Sequence, residues 1–214
     1  MKYTTIIFDL DGTLLNTLDD LVNSANYALS YHNLPLRSRD EIRSFVGNGV
    51  HTLISRAVPD KTSTDVVTSV LQTFKEHYIL HMNDFTAPYE GIRSLLKELK
   101  EKGIKTAIVS NKYDAAVKQL ASEHFNGFIT TAKGESLSIP KKPAPDSILS
   151  VLSELHEEPN HCLYVGDSDV DMLTAKNANV TSVGVTWGFR SRECLIESGA
   201  NYIIDTPLEL LSLL

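Results

Sequence analysis

The sequence predicts a three-layer, Rossmann-like α/β fold with a mostly parallel sheet and an inserted α-helical domain. Apolar segments of strand length alternate along the chain with segments of helical periodicity. The strand segments are apolar at successive positions, which is typical of strands buried on both faces of a parallel sheet. The regular alternation of strand and helix favours βα units, the building blocks of such a sheet.

The predicted strands share short apolar runs with few charges. They cover residues 5–8, 105–109, 127–130, 162–165, 181–185 and 202–204. Amphipathic helices are predicted between them at 92–102 and 147–156, because leucine, isoleucine and valine recur there at helical spacing.

One long segment interrupts this alternation. Between residue 17 and about residue 85 the pattern is helical, with helices predicted at 18–31, 38–45, 50–58 and 64–81. We therefore divide the chain into an α/β catalytic core, residues 1–15 and 86–214, and a helical cap, residues 16–85. Ligands of open α/β sheets bind beyond the carboxyl ends of the strands, so an insert that leaves after the first strand is expected to form a lid.

Composition limits the partners of the protein. There are 20 Lys and Arg residues against 27 Asp and Glu, a net charge of −7, so no broad positive field attracts nucleic acid or an anionic membrane. The N-terminus has no apolar signal segment, and no apolar run reaches membrane-spanning length. We expect a cytoplasmic protein with neither a nucleic-acid nor a membrane partner. Cys162 and Cys194 predict neither a disulfide framework nor a cysteine metal site.

Two carboxylates follow the first strand. Asp9 and Asp11 share a face of the extended chain, and Gly12 allows a sharp turn after them. At a separation of about 4–5 Å and an effective dielectric constant of ~20, their charges repel by roughly 4 kcal/mol. This favours a bound cation or a shared proton. A simple turn would explain Asp11 but not Asp9 beside a buried strand.

A second acidic segment, residues 165–171, follows a later strand in the same way. If the two strands are neighbours, Asp9, the backbone carbonyl of Asp11 and Asp167 form an all-oxygen site that suits Mg²⁺ better than Zn²⁺. Asp171 is predicted to orient metal-bound water from the first turn of the following helix. Helix capping is the alternative explanation for these acids, and it suffices for Asp169.

Two further segments offer groups that bind phosphate. Ser110 and Asn111 end a predicted strand with a hydroxyl and backbone N–H groups, and Lys142 places a cation in a loop rich in proline. Each of these features is common by itself. Their order along the chain, together with the acidic pairs, makes a phosphate-binding site a more specific prediction than any one of them alone.

Together these segments resemble the four motifs of the haloacid dehalogenase superfamily of Mg²⁺-dependent phosphohydrolases. The motifs are Asp9-Leu10-Asp11-Gly12-Thr13, Ser110-Asn111, Lys142-Pro143 and residues 166–171. The helical insert and the segments 45–49, 111–112, 141–146 and 185–188 are similar to the phosphoglycolate phosphatase-like subgroup. One departure is Asn16-Thr17, where many relatives have an Asp-Ser pair; Asn16 can still cap the next helix.

The resemblance implies roles for these residues. Asp9 would form an aspartyl-phosphate, Asp11 would act as general acid and base, and Mg²⁺ would be bound by Asp9, Asp11 and Asp167. Ser110, Lys142 and the backbone N–H groups of Leu10 and Asn111 would bind the phosphoryl oxygens, and Asn48 of the insert is expected to face the substrate. The substrate would be a small phosphorylated metabolite, with 2-phosphoglycolate as the leading candidate. The presence of Asp11 argues against halide displacement.

Several alternatives stay open at this level. They include a phosphomutase similar to β-phosphoglucomutase, an inorganic pyrophosphatase and a non-enzymatic, phosphoryl-responsive binding module. The large insert and the pairing of Asp9 with Asp11 count against the module. The sequence does not decide between a monomer and a homodimer. His77 and His81 are spaced to share a helix face, but no third metal ligand is near them, so a solvated or packed face is expected.

Overall fold

A computed structural model describes residues 2–136 and 139–214 of the chain. The chain forms two compact units, one built from the residues up to Leu15 together with Pro88–Leu214, the other from Asn16–Ala87. The predicted domains divide the chain after residues 15 and 85, whereas the two structural units divide it after Leu15 and Ala87. At the crossings, β2 (Leu15–Asn16) and β3 (Ala87–Pro88) form a two-stranded sheet.

The first unit is built on a six-stranded sheet over the described residues, with each neighbouring pair of strands parallel. Its strands are β1 (Thr5–Phe8), β4 (Lys105–Tyr113), β5 (Thr131–Glu135), β6 (Cys162–Gly166), β7 (Thr181–Val185) and β8 (Tyr202–Ile204). Their order across the sheet is β5-β4-β1-β6-β7-β8. This confirms the predicted α/β class, and β1 lies inside the sheet between β4 and β6.

Helices cover the sheet. They are α5 (Ile92–Glu101), α6 (Asp114–Phe125), α7 (Asp146–Leu155), α8 (Asp169–Asn177) and α9 (Arg192–Glu197), with short 3-10 helices at Pro159–His161 and Pro207–Leu213. One core cluster joins Ile7, Val109 and Tyr164 of the sheet to residues of α7 and α8. The chain crosses from β1 to β4 and β5 in one direction and returns to β6 and β7 in the other. Because crossover connections are right-handed, α5 and α6 lie on the face of the sheet opposite to α7 and α8, which gives the predicted three layers.

The second unit is helical. It contains α1 (Leu18–Tyr31), α2 (Arg39–Phe45), α3 (Val50–Ala57) and α4 (Thr64–His81). Ser38 and Glu41 form a reciprocal capping box at the start of α2. The N-cap of α1 is Thr17, whose side chain makes no capping hydrogen bond, so Asn16 is not the cap that the sequence predicts. Asn16 Oδ1 accepts a hydrogen bond from the Leu18 N–H at 3.4 Å from the position before the N-cap.

One predicted strand is wrong. Residues 127–130 form a turn after α6, in which the Phe128 N–H donates to the Phe125 carbonyl at 2.9 Å, and the strand follows at Thr131–Glu135. The apolar run was misleading because β5 is an edge strand. Its side chains are half-buried and mostly polar, so β5 lacks the apolar pattern of the inner strands.

None of the described helices has both the length and the apolar character needed to cross a membrane.

Candidate active site

The carboxyl ends of three adjacent strands converge around Asp9. In the parallel register Phe8 pairs with Ile108 of β4 and with Val165 of β6. Asp9, directly after β1, therefore lies between the Ser110 region of β4 and the Asp167 turn after β6. The register explains why residues about 100 and 160 positions apart form one site.

Asp9 forms a buried ion pair. Its Oδ1 lies 2.9 Å from Lys142 Nζ, and the Lys142 side chain is only 3% exposed. The same ammonium lies 2.7 Å from Asp171 Oδ1. One lysine thus joins the carboxylate that follows β1 to a carboxylate on α8, and its charge has to compensate two acids.

Asp171 accepts hydrogen bonds at both oxygens. Its Oδ2 accepts from the Ser168 N–H at 3.1 Å and from the Ser168 hydroxyl at 2.6 Å, which completes a capping box at the start of α8. Tyr164 Oη lies 3.1 Å from Asp171 Oδ1 and 3.0 Å from Lys142 Nζ. These contacts fix Asp171 in place. Its predicted role toward metal-bound water stays a prediction.

Asp167 is packed between two glycines. A Cβ on Gly12 or on Gly188 would overlap the Asp167 side chain, and Gly12 also has a φ of +86°, which disfavours other residues. Asp167 Oδ1 accepts from the Thr13 hydroxyl at 3.2 Å, and Oδ2 accepts from the Phe189 N–H at 2.8 Å. The turn after β1 and the loop after β7 therefore hold this carboxylate jointly.

Asp11 forms an ion pair with a different lysine, Lys112. Its Oδ1 lies 2.8 Å from Lys112 Nζ, with the Asp11 side chain 14% exposed and the Lys112 side chain 3% exposed. Asp9 and Asp11 are therefore compensated by different cations. Two acids so close in sequence have distinct surroundings, as two distinct chemical roles require.

Ser110 and Asn111 are buried near the end of β4. Ser110 Oγ accepts from the Lys112 N–H at 3.2 Å. The Asn111 side chain accepts from the Lys142 N–H at 2.8 Å and donates to the Lys142 carbonyl at 3.1 Å. Asn111 thereby fixes the loop that carries the buried lysine.

Burial changes the acidity of the central groups. It raises the pKa of Asp9 to about 7; Lys142 opposes this shift and Asp171 adds to it. Burial, followed by the charges of Asp171 and Asp9, raises the pKa of Asp167 to about 8. Burial lowers the pKa of Lys142, but Asp171 and Asp9 outweigh that effect and hold it well above its usual value. The site thus contains more carboxylates than its lysines neutralise, which favours an added cation.

The donor set suits a hard cation. Asp9, Asp167 and Asp171 are buried, and each offers a carboxylate oxygen within 4.8 Å of the others. All-oxygen ligands favour Mg²⁺, Ca²⁺ or Mn²⁺ over softer metals. Asp171 already accepts hydrogen bonds from Lys142, Tyr164 and Ser168, more partners than Asp9 or Asp167 has, so Asp9 and Asp167 are the better placed direct ligands.

The first unit brings together Asp9, Asp11, Ser110, Asn111, Lys142, Asp167 and Asp171 from the sequence prediction, together with Leu10 between the two acids. Asn48 belongs to the helical unit. Asp169 opens α8, and its Oδ1 lies 3.5 Å from Arg190 Nε. The Trp187 indole donates to the Thr13 carbonyl at 3.0 Å, so this aromatic residue anchors the loop after β7.

Three site residues received no role in the sequence analysis: Tyr164, Lys112 and Thr13. Tyr164 lies in an apolar strand, a pattern that predicts only a buried core residue. The signal that could have identified it is its hydroxyl, since a buried tyrosine O–H needs a partner. Lys112 and Thr13 adjoin predicted site residues, but only the fold shows which carboxylate each contacts.

Comparison with known proteins agrees with this geometry. The family model for haloacid dehalogenase-like hydrolases matches residues 6–185. A phosphoglycolate phosphatase of Aquifex aeolicus is 30% identical over 98% of this chain and 95% of its own. A provisionally assigned pyrophosphatase of Caldanaerobacter subterraneus is 29% identical over 100% of this chain and 96% of its own.

Among solved structures, a provisionally assigned phosphoglycolate phosphatase of Lactobacillus delbrueckii subsp. bulgaricus has the same fold. It superposes with a TM-score of 0.91 at 36% identity, over 98% of this chain and 97% of its own.

Proposed function

We propose that this chain, which belongs to the haloacid dehalogenase-like hydrolase family, hydrolyses a small phosphomonoester through an aspartyl-phosphate on Asp9, with 2-phosphoglycolate as the leading substrate. The family match confirms the resemblance found in the motifs, and it makes the chain an enzyme, a phosphatase of the phosphoglycolate phosphatase-like kind. The substrate is inferred from the names of relatives at about 30% identity, so it belongs to the proposal.

The observation that carries the proposal is the surroundings of Asp9. This carboxylate is buried after an inner strand and lies 2.9 Å from the ammonium of Lys142. In the first step an Asp9 oxygen attacks phosphorus, a bond forms between them, and the bond from phosphorus to the ester oxygen breaks. Lys142 stabilises the charge that develops on the phosphoryl oxygens.

Asp11 is the proposed general acid and base. In the first step it gives a proton to the departing ester oxygen. In the second step it takes a proton from water, whose oxygen attacks phosphorus while the bond to Asp9 breaks and phosphate leaves. Lys112, whose ammonium lies 2.8 Å from Asp11 Oδ1, orients the Asp11 carboxyl group.

Ser110 is buried at the end of β4 and is proposed to donate its hydroxyl to a phosphoryl oxygen. The backbone N–H groups of Leu10 and Asn111 are proposed to donate to the other oxygens. Asn111 also positions Lys142 through two hydrogen bonds. The role of Asn48 in substrate binding stays a proposal; an Asn48→Ala variant with unchanged KM and kcat would refute it.

The residues present fit a magnesium ion. Asp9 and Asp167 offer closely spaced buried oxygens, and burial raises both of their pKa values in the absence of a cation. Asp9, the Asp11 carbonyl and Asp167 would hold the ion. When bound, Mg²⁺ would supply positive charge that keeps Asp9 ionised and neutralises the phosphoryl group.

Pyrophosphatase activity is the second candidate, because one relative at 29% identity carries that provisional assignment. The same residues would act on a phosphoanhydride, since the bonding changes at phosphorus are alike. Membership of a hydrolase family favours either reaction over the phosphoryl-responsive binding module.

The decisive experiment measures phosphate release from 2-phosphoglycolate, sugar phosphates, nucleotides and pyrophosphate, with Mg²⁺ or with EDTA. The wild type is compared with Asp9→Asn and with the matched control Asp169→Asn, whose carboxylate opens α8 outside the proposed chemistry. We expect Mg²⁺-dependent release that Asp9→Asn abolishes and Asp169→Asn retains. Full activity in Asp9→Asn would refute the mechanism, and a preference for pyrophosphate would select the second candidate.

A further inference from the structure

Tyr164 places one hydroxyl group among the buried charges of the candidate active site. Its side chain is completely buried, in the core cluster that also contains Ile7 and Val109. In the parallel register Tyr164 of β6 lies beside Ile7 of β1, two residues before Asp9. A ring enclosed in this way has little room to turn, because protein interiors are close-packed. The hydroxyl oxygen is therefore held in one position.

Among the residues that the structure describes, three oxygen atoms surround the ammonium of Lys142. Two belong to carboxylates, Asp171 Oδ1 at 2.7 Å and Asp9 Oδ1 at 2.9 Å, and the third is the Tyr164 hydroxyl at 3.0 Å. An ammonium group has three N–H donors and no acceptor. The hydroxyl thus supplies the third neighbour without adding a negative charge to a site that is already rich in carboxylates.

The same hydroxyl contacts two further elements of the site. Its proton has two acceptors within reach, Asp171 Oδ1 at 3.1 Å and the Val109 carbonyl at 3.2 Å. A tyrosine hydroxyl can donate to one of these and accept from Lys142 at the same time. Val109 directly precedes Ser110 on β4, and β1 lies between β4 and β6. One oxygen atom therefore connects Lys142, the first turn of α8 and the end of β4 that carries Ser110.

The proposed reaction alters one of the three neighbours of Lys142. When an Asp9 oxygen bonds to phosphorus, this carboxylate becomes an acyl phosphate, and its carboxyl oxygens attract the ammonium less strongly. Tyr164 and Asp171 are unchanged by the reaction. They are the two contacts that can hold the ammonium against the phosphoryl oxygens during both the formation and the hydrolysis of the aspartyl-phosphate.

We propose that Tyr164 is a positioning residue for phosphoryl transfer, whose hydroxyl holds the Lys142 ammonium and the end of β4 in the arrangement that stabilises the phosphoryl oxygens. This inference rests on the proposed function. Because the hydroxyl acts through Lys142, its loss should weaken binding of the transition state more than binding of the substrate.

Tyr164→Phe tests the proposal, because it removes one oxygen atom and keeps the ring, whose centroid lies 5.7 Å from Lys142 Nζ. With the preferred substrate and saturating Mg²⁺, kcat should fall roughly tenfold, since a displaced ammonium stabilises the transition state less well, while KM changes by less than about twofold. The matched control is Tyr3→Phe, at a buried tyrosine whose hydroxyl lies 3.4 Å from Thr181 Oγ1, and it should match the wild type. A wild-type kcat in Tyr164→Phe, or a change in KM alone, would overturn the proposal.

A double-mutant cycle shows whether the hydroxyl acts through the lysine. In a Lys142→Met background, Tyr164→Phe should lower kcat by less than about twofold, because the group that it positions is absent. Equal effects in the two backgrounds would refute the positioning role, since a general packing role does not depend on Lys142. If Lys142→Met fails to fold, the comparison of Tyr164→Phe with Tyr3→Phe decides alone.

Nuclear magnetic resonance of the ¹⁵N-labelled lysine ammonium groups tests the positioning without any substrate. The Lys142 signal, identified by its absence in Lys142→Arg, should exchange its protons with water about tenfold faster in Tyr164→Phe than in the wild type or Tyr3→Phe. Equal exchange rates would overturn the inference and leave the proposed function intact. A wild type that releases phosphate from no substrate would overturn the proposed function, and the exchange rates would still test the contact.

Discussion

The side chain of Asn111 holds the main chain of Lys142 through two hydrogen bonds, one accepted from the Lys142 N–H at 2.8 Å and one donated to its carbonyl at 3.1 Å. An amide can make both contacts at once, and neither an alanine nor a carboxylate can. Asn111 is therefore a positioning residue for the buried lysine, in addition to the backbone donor proposed for it.

Replacing Asn111 with alanine should lower kcat/KM on the order of a hundredfold, because a misplaced charge loses much of its effect on the transition state. Steady-state kinetics with the preferred substrate measure this. Asn126→Ala, at an exposed asparagine after α6, is the control and should match the wild type. Equal kinetics for Asn111→Ala and the control would show that the Lys142 loop keeps its position without the amide.

Lys142→Met should reduce kcat by about 10²–10³. It should also lower the free energy of unfolding of the metal-free protein by about 3–5 kcal/mol, because Asp9 and Asp171 lose their shared partner in a buried site. Urea denaturation and steady-state kinetics measure the two effects. The neighbouring Lys141 is exposed, so Lys141→Met should change neither quantity appreciably. A Lys142→Met enzyme of normal activity would contradict its proposed contact with the phosphoryl group.

The metal-free protein should become less stable as pH rises from 5 to 8. Burial raises the pKa values of Asp9 and Asp167 from 3.8 to about 7 and about 8, so the folded state binds more protons than the unfolded state in this range. The free energy of unfolding must then fall with increasing pH. Thermal denaturation in EDTA across this range tests the sign.

Mg²⁺ competes with these protons, so the rise in melting temperature that Mg²⁺ produces should be larger at pH 8 than at pH 6. Asp167→Asn, which removes one of the two titrating acids, should reduce the difference. A stabilisation by Mg²⁺ that does not vary with pH would mean that Asp9 and Asp167 do not bind the ion.

Asp20 should contribute strongly to the stability of the helical unit. Its buried carboxylate accepts from the Phe85 N–H, from the Thr86 N–H at 2.8 Å and from the Thr86 hydroxyl at 2.7 Å. Asp20→Ala leaves these donors without a partner and should cost about 3 kcal/mol in chemical denaturation.

The adjacent Asp19 provides the matched control. Its side chain is 49% exposed and pairs with Arg39 at 2.7 Å, so Asp19→Ala should change stability by no more than about 1 kcal/mol. Equal effects of the two substitutions would show that the hydrogen bonds of Asp20 stabilise the folded state no more than hydrogen bonds to water stabilise the unfolded state.

The inner strands and the longest helices could be predicted because their patterns are produced by burial. β1, α1 and α4 have the predicted bounds, since apolar runs or helical periodicity continue to their ends. The edge strand β5 was placed four residues too early because its exposed positions are polar and give no apolar signal. Apolar periodicity reports burial, and too few side chains of an edge strand are buried to produce it.

Within the candidate site, the acidic residues that follow strands can be recognised in the sequence, because charged side chains are rarely buried unless they are paired. The partners of these acids are harder to identify. Pairing Asp11 with Lys112, and Asp9 with Lys142, depends on the spatial order of β4, β1 and β6, which a single sequence does not contain. Tyr164 gives no signal of this kind, because its ring resembles a core residue and its contacts with Lys142 and Asp171 are made by one hydroxyl.

The polar character of β5 also bears on how two copies of the chain can associate. An edge strand exposes backbone groups that another strand can pair with, and charged side chains discourage such pairing. β5 carries Lys133 and Glu135, and its Gly134 N–H already donates to Asp114 at 2.9 Å. A sheet continuing from one molecule into the next is disfavoured along this edge, so a homodimer would have to form through another surface.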